Sequence, residues 1–153
     1  MCGIVGILGR EPVAGQLVDA LKRLEYRGYD SAGVAYPDAD AVSILRAPGK
    51  IVNLEGLLSP ASENRRVAIA HTRWATHGRP CEANAHPHRD CTGQIAVVHN
   101  GIIENYEELR RELTERGYLF ESQTDTEVIA HLINDLYDGD LLRTVQRAVK
   151  QLH

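Results

Sequence analysis

Apolar and polar positions fall along the chain in blocks that mark out its elements. The first block, Gly3-Ile4-Val5-Gly6-Ile7-Leu8, is a continuous apolar run of strand length and predicts a buried strand close to the start. Over residues 11–26 the period changes. Val13, Leu17, Leu21 and Leu24 recur at helical spacing while Asp19, Lys22, Arg23 and Glu25 lie elsewhere, which predicts an amphipathic helix with Pro12 in its first turn. Residues 33–36 and 42–46 read as a strand pair around the turn Pro37-Asp38-Ala39-Asp40. Ile51, Leu54, Leu57 and Leu58 predict a short helix that closes at Ser59-Pro60. Val67-Ala68-Ile69-Ala70 is a compact strand that delivers a polar stretch at 71–78, and residues 94–99 form another strand that runs into Asn100-Gly101. An Asn-Gly pair usually signals a hairpin. Here a helix follows instead, over 104–116, with Leu109 and Leu113 among charges and a stop at Gly117. Tyr118-Leu119-Phe120 predicts a short strand. Thr124 followed by Glu127 has the capping-box pattern and opens a helix whose apolar face is Val128, Ile129, Leu132, Ile133 and Leu136. A last helix carries Leu141, Leu142, Val145, Ala148, Val149 and Leu152.

Composition narrows the class. A chain of 153 residues is long enough for one domain with a core, and 43% apolar with 25% charged residues is ordinary for a soluble globular protein. A net charge of −4 without a basic run offers no footing for nucleic acid or an anionic membrane. No apolar run is long enough to span a bilayer, and no basic n-region of a signal peptide is seen. Three cysteines, Cys2, Cys81 and Cys91, fit a reducing, cytoplasmic setting better than a disulfide scaffold.

The candidate chemistry starts at Cys2. If Met1 is removed, Cys2 carries a thiol and a free α-amine, a nucleophile and a general base in one residue. Such amines titrate near ~8 and free thiols near ~8.5, so their proton affinities are matched for transfer near neutral pH. Read alone, the stretch also fits a cysteine that serves as a small apolar filler. Tyr26-Arg27-Gly28-Tyr29-Asp30-Ser31-Ala32-Gly33 mixes aromatics, a cation, an acid and glycines, as a loop lining a site does, or as a turn with a solvated Arg27–Asp30 pair does. His71-Thr72-Arg73-Trp74-Ala75-Thr76-His77-Gly78 crowds donors at a strand end, where the guanidinium fork of Arg73 suits a small carboxylate and Trp74 is either a wall of the site or a core residue. The Asn100 amide and the Gly101 backbone N–H can converge as an oxyanion hole, where one donor contributes on the order of 3 kcal/mol to a transition state. Asp125, at a helix start, either favours the positive helix end or accepts a substrate ammonium. Cys81, His86, His88 and Cys91 raise zinc, although their spacing is poor for a structural zinc site.

Taken together, Cys-Gly-Ile-Val-Gly after Met1, the motif at 26–33, the motif at 71–78, Asn-Ala-His-Pro-His at 84–88, His-Asn-Gly-Ile-Ile-Glu-Asn-Tyr at 99–106 and Thr-Asp-Thr-Glu-Val-Ile-Ala-His-Leu at 124–132 are similar to one family. The chain resembles, essentially end to end, the glutaminase domain of the glutamine–fructose-6-phosphate aminotransferases. These are class II glutamine amidotransferases of the N-terminal-nucleophile hydrolase superfamily. The resemblance implies an α+β fold, a four-layer αββα sandwich. It implies that Cys2 attacks the glutamine side-chain amide to give a γ-glutamyl thioester and ammonia, with its own α-amine as base and then acid. Asn100 and Gly101 would stabilise the oxyanion. Arg73, with Thr76 and His77, would hold the α-carboxylate, and Asp125 would receive the α-ammonium. Trp74 would act as the lid, and Arg27 would lie in a loop near the nucleophile. No cofactor and no metal is implied, and the full-length enzymes are expected to be cytoplasmic homodimers.

The family's glutaminase domain is longer, so residues 1–153 are expected to be a truncated domain, incomplete at the C-terminus. The sugar-phosphate isomerase domain is expected to be absent. Fructose 6-phosphate would be bound only through that domain. Cys81 stands where a small polar residue is expected, and Cys91 matches no role in the family. Two other readings compete with the enzyme: an inactive interaction fragment, and a zinc module built from Cys81, His86, His88 and Cys91.

Overall fold

A computed structural model describes residues 2–27, 29–59, 62, 64–74 and 79–153, with the side chain of Arg27 outside the described part. Four strands, β1 (Gly3–Leu8), β2 (Ser31–Asp38), β3 (Ala41–Pro48) and β4 (Val67–Arg73), make one antiparallel sheet in the order β1-β4-β2-β3. β4 is central, pairing Ile4 with His71 on one side and Gly33 with His71 on the other.

The pleat sends alternate residues of this sheet to opposite faces. One face meets helices α1 (Ala14–Leu24) and α2 (Ile51–Glu55), and the core there is Leu17, Leu21, Val34, Ile51, Leu54 and Ala70, all buried. Gly3 belongs to this face. A Cβ on it would fall 2.9 Å from both Leu24 and Thr72 Oγ1, so the start of β1 can lie against α1 only without a side chain. The opposite face carries Ile69, His71, Arg73, Gly33 and Ala35, and meets a second layer. That layer is the short pair β5 (His88–Arg89) and β6 (Ala96–Val97) with helices α3 (Tyr106–Glu115), α4 (Glu127–Leu136) and α5 (Leu141–Val149). A second core, including Leu109, Leu113, Val128, Leu132 and Ile133, holds these helices together. The order of layers is helix, sheet, sheet, helix, an α+β architecture as expected.

Several elements differ from the sequence reading. β1 is an edge strand that pairs only with β4 among the described residues, with Ile4 41% and Leu8 83% exposed. α1 begins at Ala14, so Pro12 precedes the helix rather than lying in its first turn. β4 extends to Arg73, because His71 and Thr72 keep pairing with both neighbours and Arg73 still pairs with Ser31 of β2. The strand expected at 94–99 is reduced to Ala96–Val97, and residues 118–120 pair with no strand among the described residues. α4 begins at Glu127, and Thr124 does not cap it. Thr124 Oγ1 bonds Ser122 and His88, while Glu127 accepts from the backbone N–H groups of Glu121 and Ser122. In α5 only Thr144 and Ala148 are buried. Leu141, Leu142 and Val149 are exposed, and Leu141 and Val149 border an apolar cavity of about 590 Å³ between the sheet and the second layer.

Candidate functional site

Strand pairing brings the nucleophile candidate to its neighbours. The β1–β4 register ends at Gly3 opposite Thr72, whose hydroxyl accepts the Gly3 N–H at 3.0 Å. One step further, the half-buried Cys2 Sγ accepts from the Trp74 backbone N–H at 3.1 Å and lies 3.5 Å from the Trp74 carbonyl oxygen. Trp74 is 55% exposed, so it is not a core residue.

Asn100 arrives from the other layer, just after β6. Its Nδ2 donates to the Cys2 carbonyl at 3.3 Å, and its Oδ1 lies 2.7 Å from His71 Nε2. Gly101 follows, where a Cβ would sit 2.8 Å from the His99 ring, so a side chain there would collide with the imidazole. His99 Nδ1 lies 3.3 Å from Thr126 Oγ1. Next to it the buried Asp125 accepts the Ile103 N–H at 2.8 Å through Oδ2. One continuous line of contacts therefore joins Cys2, Asn100, Gly101, His99, Thr126 and Asp125.

Arg73 ends β4 buried, with its guanidinium 3.8 Å from Asp30 Oδ1. Asp30 also accepts from the Ser31 hydroxyl, and its backbone N–H donates to the Arg73 carbonyl. Thr76, His77 and the side chain of Arg27 lie outside the described residues; the backbone of Arg27 is in a 3₁₀ turn, Glu25–Arg27.

Behind Asn100 stands a column of three buried imidazoles that the sequence reading did not assign to the site. His71 stacks on His86 with ring centroids 4.2 Å apart and 16° between planes, and His86 meets the edge of His88 at 4.5 Å. His88 Nε2 lies 3.0 Å from Thr124 Oγ1. Burial is the main cause that holds all three neutral. It draws His71 down to about 4 against hydrogen bonds with Asn100 and His99, and His88 to about 3, with the cation of Arg46 acting in the same sense. His86 is lowered further still by burial and by the neighbouring His71 and His88. The loop that carries His86 lies against β2 where Gly33 leaves room. A Cβ on Gly33 would come 2.1 Å from the His86 carbonyl oxygen. Arg46 Nε donates to the Pro87 carbonyl at 2.9 Å, and Asn84 bonds the backbone of Arg79 and Gln123. The signal for His71 was present in the period-2 pattern. Continuing β4 three residues past Ala70 puts His71 and Arg73 on the face of Ile69.

The zinc reading is not supported by the arrangement. Among the described residues no group of three or more His, Cys, Asp or Glu side chains could hold a metal ion, and the buried imidazoles of His86 and His88 pack on each other while Cys91 is exposed.

A family model described as a glutamine amidotransferase domain matches residues 59–145. Two curated relatives, both called glutamine–fructose-6-phosphate aminotransferase (isomerizing), align over 99% of this chain. The one from Symbiobacterium thermophilum is 57% identical over 152 residues, and the one from Thermotoga maritima is 55% identical over 153. The chain spans 25% of the length of each. Among solved structures, a glutamine phosphoribosylpyrophosphate amidotransferase from B. subtilis superposes with a TM-score of 0.80 at 26% identity, over 99% of this chain and 33% of that one. The structure of an allosteric regulatory enzyme of purine biosynthesis does so with a TM-score of 0.79 at 28% identity, over 99% of this chain and 33% of that one. With the family model covering more than half of its length, this chain belongs to the glutamine amidotransferase domain family.

Proposed function

We propose that this chain hydrolyses the side-chain amide of glutamine with Cys2 as nucleophile. The observation that carries the reading is the convergence on Cys2 of the Trp74 N–H and the Asn100 amide. With Met1 removed, the Cys2 α-amine takes the thiol proton as sulfur attacks the amide carbon. The oxyanion that forms is met by the free N–H of Asn100 Nδ2 and by the Gly101 N–H. Collapse breaks the C–N bond, the α-ammonium returns the proton to the leaving nitrogen, and ammonia departs from a γ-glutamyl thioester. Water then cleaves the thioester to glutamate and free thiol.

Substrate recognition follows from charge. Arg73, with Thr76 and His77, takes the α-carboxylate, and the Asp125 carboxylate takes the α-ammonium. Trp74 covers the site and Arg27 borders it. The names of the relatives support the further reading that the ammonia aminates fructose 6-phosphate in a longer protein of which residues 1–153 are the glutaminase part. We propose a cytoplasmic homodimer for that protein.

Intact mass spectrometry before and after an electrophilic glutamine analogue tests the reading. Loss of the Met1 mass and a single adduct, absent in Cys2→Ala, are expected, together with glutamate release that C2A abolishes. A retained Met1, or a mature Cys2 that takes no adduct, would identify an interaction fragment and not a glutaminase.

A further inference from the structure

A side-chain amide has two ends that fill nearly the same space. Turned over, Asn100 would offer a carbonyl oxygen where the proposed chemistry needs an N–H. What bonds the other end decides between the two. That partner is His71, whose Nε2 lies 2.7 Å from Asn100 Oδ1 while Asn100 Nδ2 reaches the Cys2 carbonyl. The Cys2 carbonyl can only accept, so the amide end that faces it is Nδ2 and the end that faces His71 is Oδ1; an amide oxygen carries no proton, so the contact places the imidazole proton on Nε2.

His71 is held firmly enough to impose this choice. It is 1% exposed, sits on the central strand between Ile4 and Gly33, and stacks flat on His86. His86 is backed in turn by His88, itself bonded to Thr124. Asn100 is at the surface and has no such packing of its own. The rigid partner is therefore the ring, and the amide follows it.

We infer that His71 is a positioning residue that, as its Nε2–H tautomer, locks the Asn100 amide with its N–H₂ end toward Cys2. The catalytic consequence rests on the proposed role of Asn100 as an oxyanion donor; the tautomer and the amide orientation do not.

Steady-state glutamine hydrolysis by His71→Leu, Asn100→Ala and the double variant tests the consequence. Removing an oxyanion donor costs about 10²–10³-fold in kcat. H71L is expected to lose at least about tenfold in kcat, up to that limit, with KM for glutamine little changed. In the N100A background it is expected to cost less than about twofold, because the amide it positions is gone. His71→Gln, which keeps a neutral N–H donor, is expected to recover most of the loss. An unchanged kcat in H71L, an equal loss in both backgrounds, or an H71Q variant no better than H71L would overturn the positioning role. The ¹⁵N spectrum of the unmutated protein decides the orientation without any activity or variant. A proton on His71 Nε2 is expected, and a proton on Nδ1 would overturn the inference. If C2A leaves glutamine hydrolysis intact, the glutaminase reading falls, and the spectrum still judges the His71–Asn100 link.

Discussion

Acid should weaken this fold well above the pH at which carboxylates are usually protonated. His71, His86 and His88 are buried and packed on one another, and each is held neutral, with burial the leading cause. The charges facing the column are mostly cations, Arg46 and Arg73, opposed by Glu127. Released into water, each imidazole titrates near ~6.5. The unfolded chain therefore binds protons as pH falls below ~6.5 while the native chain does not, and stability falls with pH down to about 4, where His71 begins to charge. At pH ~5.5 the loss is about 1.4 kcal/mol per histidine and about 4 kcal/mol for the three. This figure is insensitive to how deeply each is depressed, provided the native value stays below about 4.5. His99, lowered chiefly by burial, adds in the same direction. Glu127 does not interfere. Burial raises it, but the His131 and Ser122 side chains and the Glu121 and Ser122 backbones outweigh this and bring it to about 2, so its contribution is lost only as pH falls from ~4.3 toward that value. Urea unfolding at pH ~7.5 and ~5.5 measures the difference, and His86→Phe, which keeps a stacked ring without a titrating nitrogen, should shrink it by about 1.4 kcal/mol. A loss below about 1 kcal/mol in the unmutated protein, at constant m, would show that the column is protonated in the native state and refute the reasoning.

Two further outcomes follow from packing and capping. Gly33→Ala should destabilise by about 3 kcal/mol or more, because its Cβ meets the His86 carbonyl at 2.1 Å and relieving that contact stretches the Arg46–Pro87 hydrogen bond. By contrast Gly15→Ala, in α1 with nothing within 4 Å, should stabilise by about 0.5–1 kcal/mol; a thermal-unfolding comparison that ranks the two the other way would contradict the packing described. Asp90→Ala should cost about 2–4 kcal/mol in urea, since the buried carboxylate accepts the N–H groups of Thr92, Gln94 and Ile95 and the Thr92 hydroxyl, and a loss under about 1 kcal/mol would mean that water takes over those donors.

Local pattern made much of this legible. Helical spacing found α1, α3, α4 and α5 to within a few residues, and the alternation of 33–36 and 42–46 found the β2–β3 hairpin. Motifs singled out Cys2 and Asn100 as candidates, and the fold brings them within hydrogen-bond reach of each other. What escaped were properties of pairing. Where β4 ends depends on its partners, since β1 pairs with it as far as Thr72 and β2 as far as Arg73, and a polar residue costs little in a strand so held. The 118–120 stretch has strand composition and, among the described residues, no partner strand, which composition alone does not reveal.

The histidine column shows why such residues are hard to assign from sequence. Three imidazoles within eighteen positions look like ligands or surface polarity, because in water each is half charged near neutral pH. Inside this fold they behave as flat, neutral, apolar-faced rings whose edges make specific polar contacts. His88 contacts Thr124 and His71 contacts Asn100. Gly33 allows the loop bearing His86 to come close enough for the stack to form, and Arg46 fixes that loop at Pro87. A glycine in the 26–33 motif and a His-Pro-His in the 84–88 motif are thus parts of one device, separated by half a hundred residues in the chain and joined only by close packing. A displacement of His86 therefore reaches Asn100, beside Cys2, through a single ring.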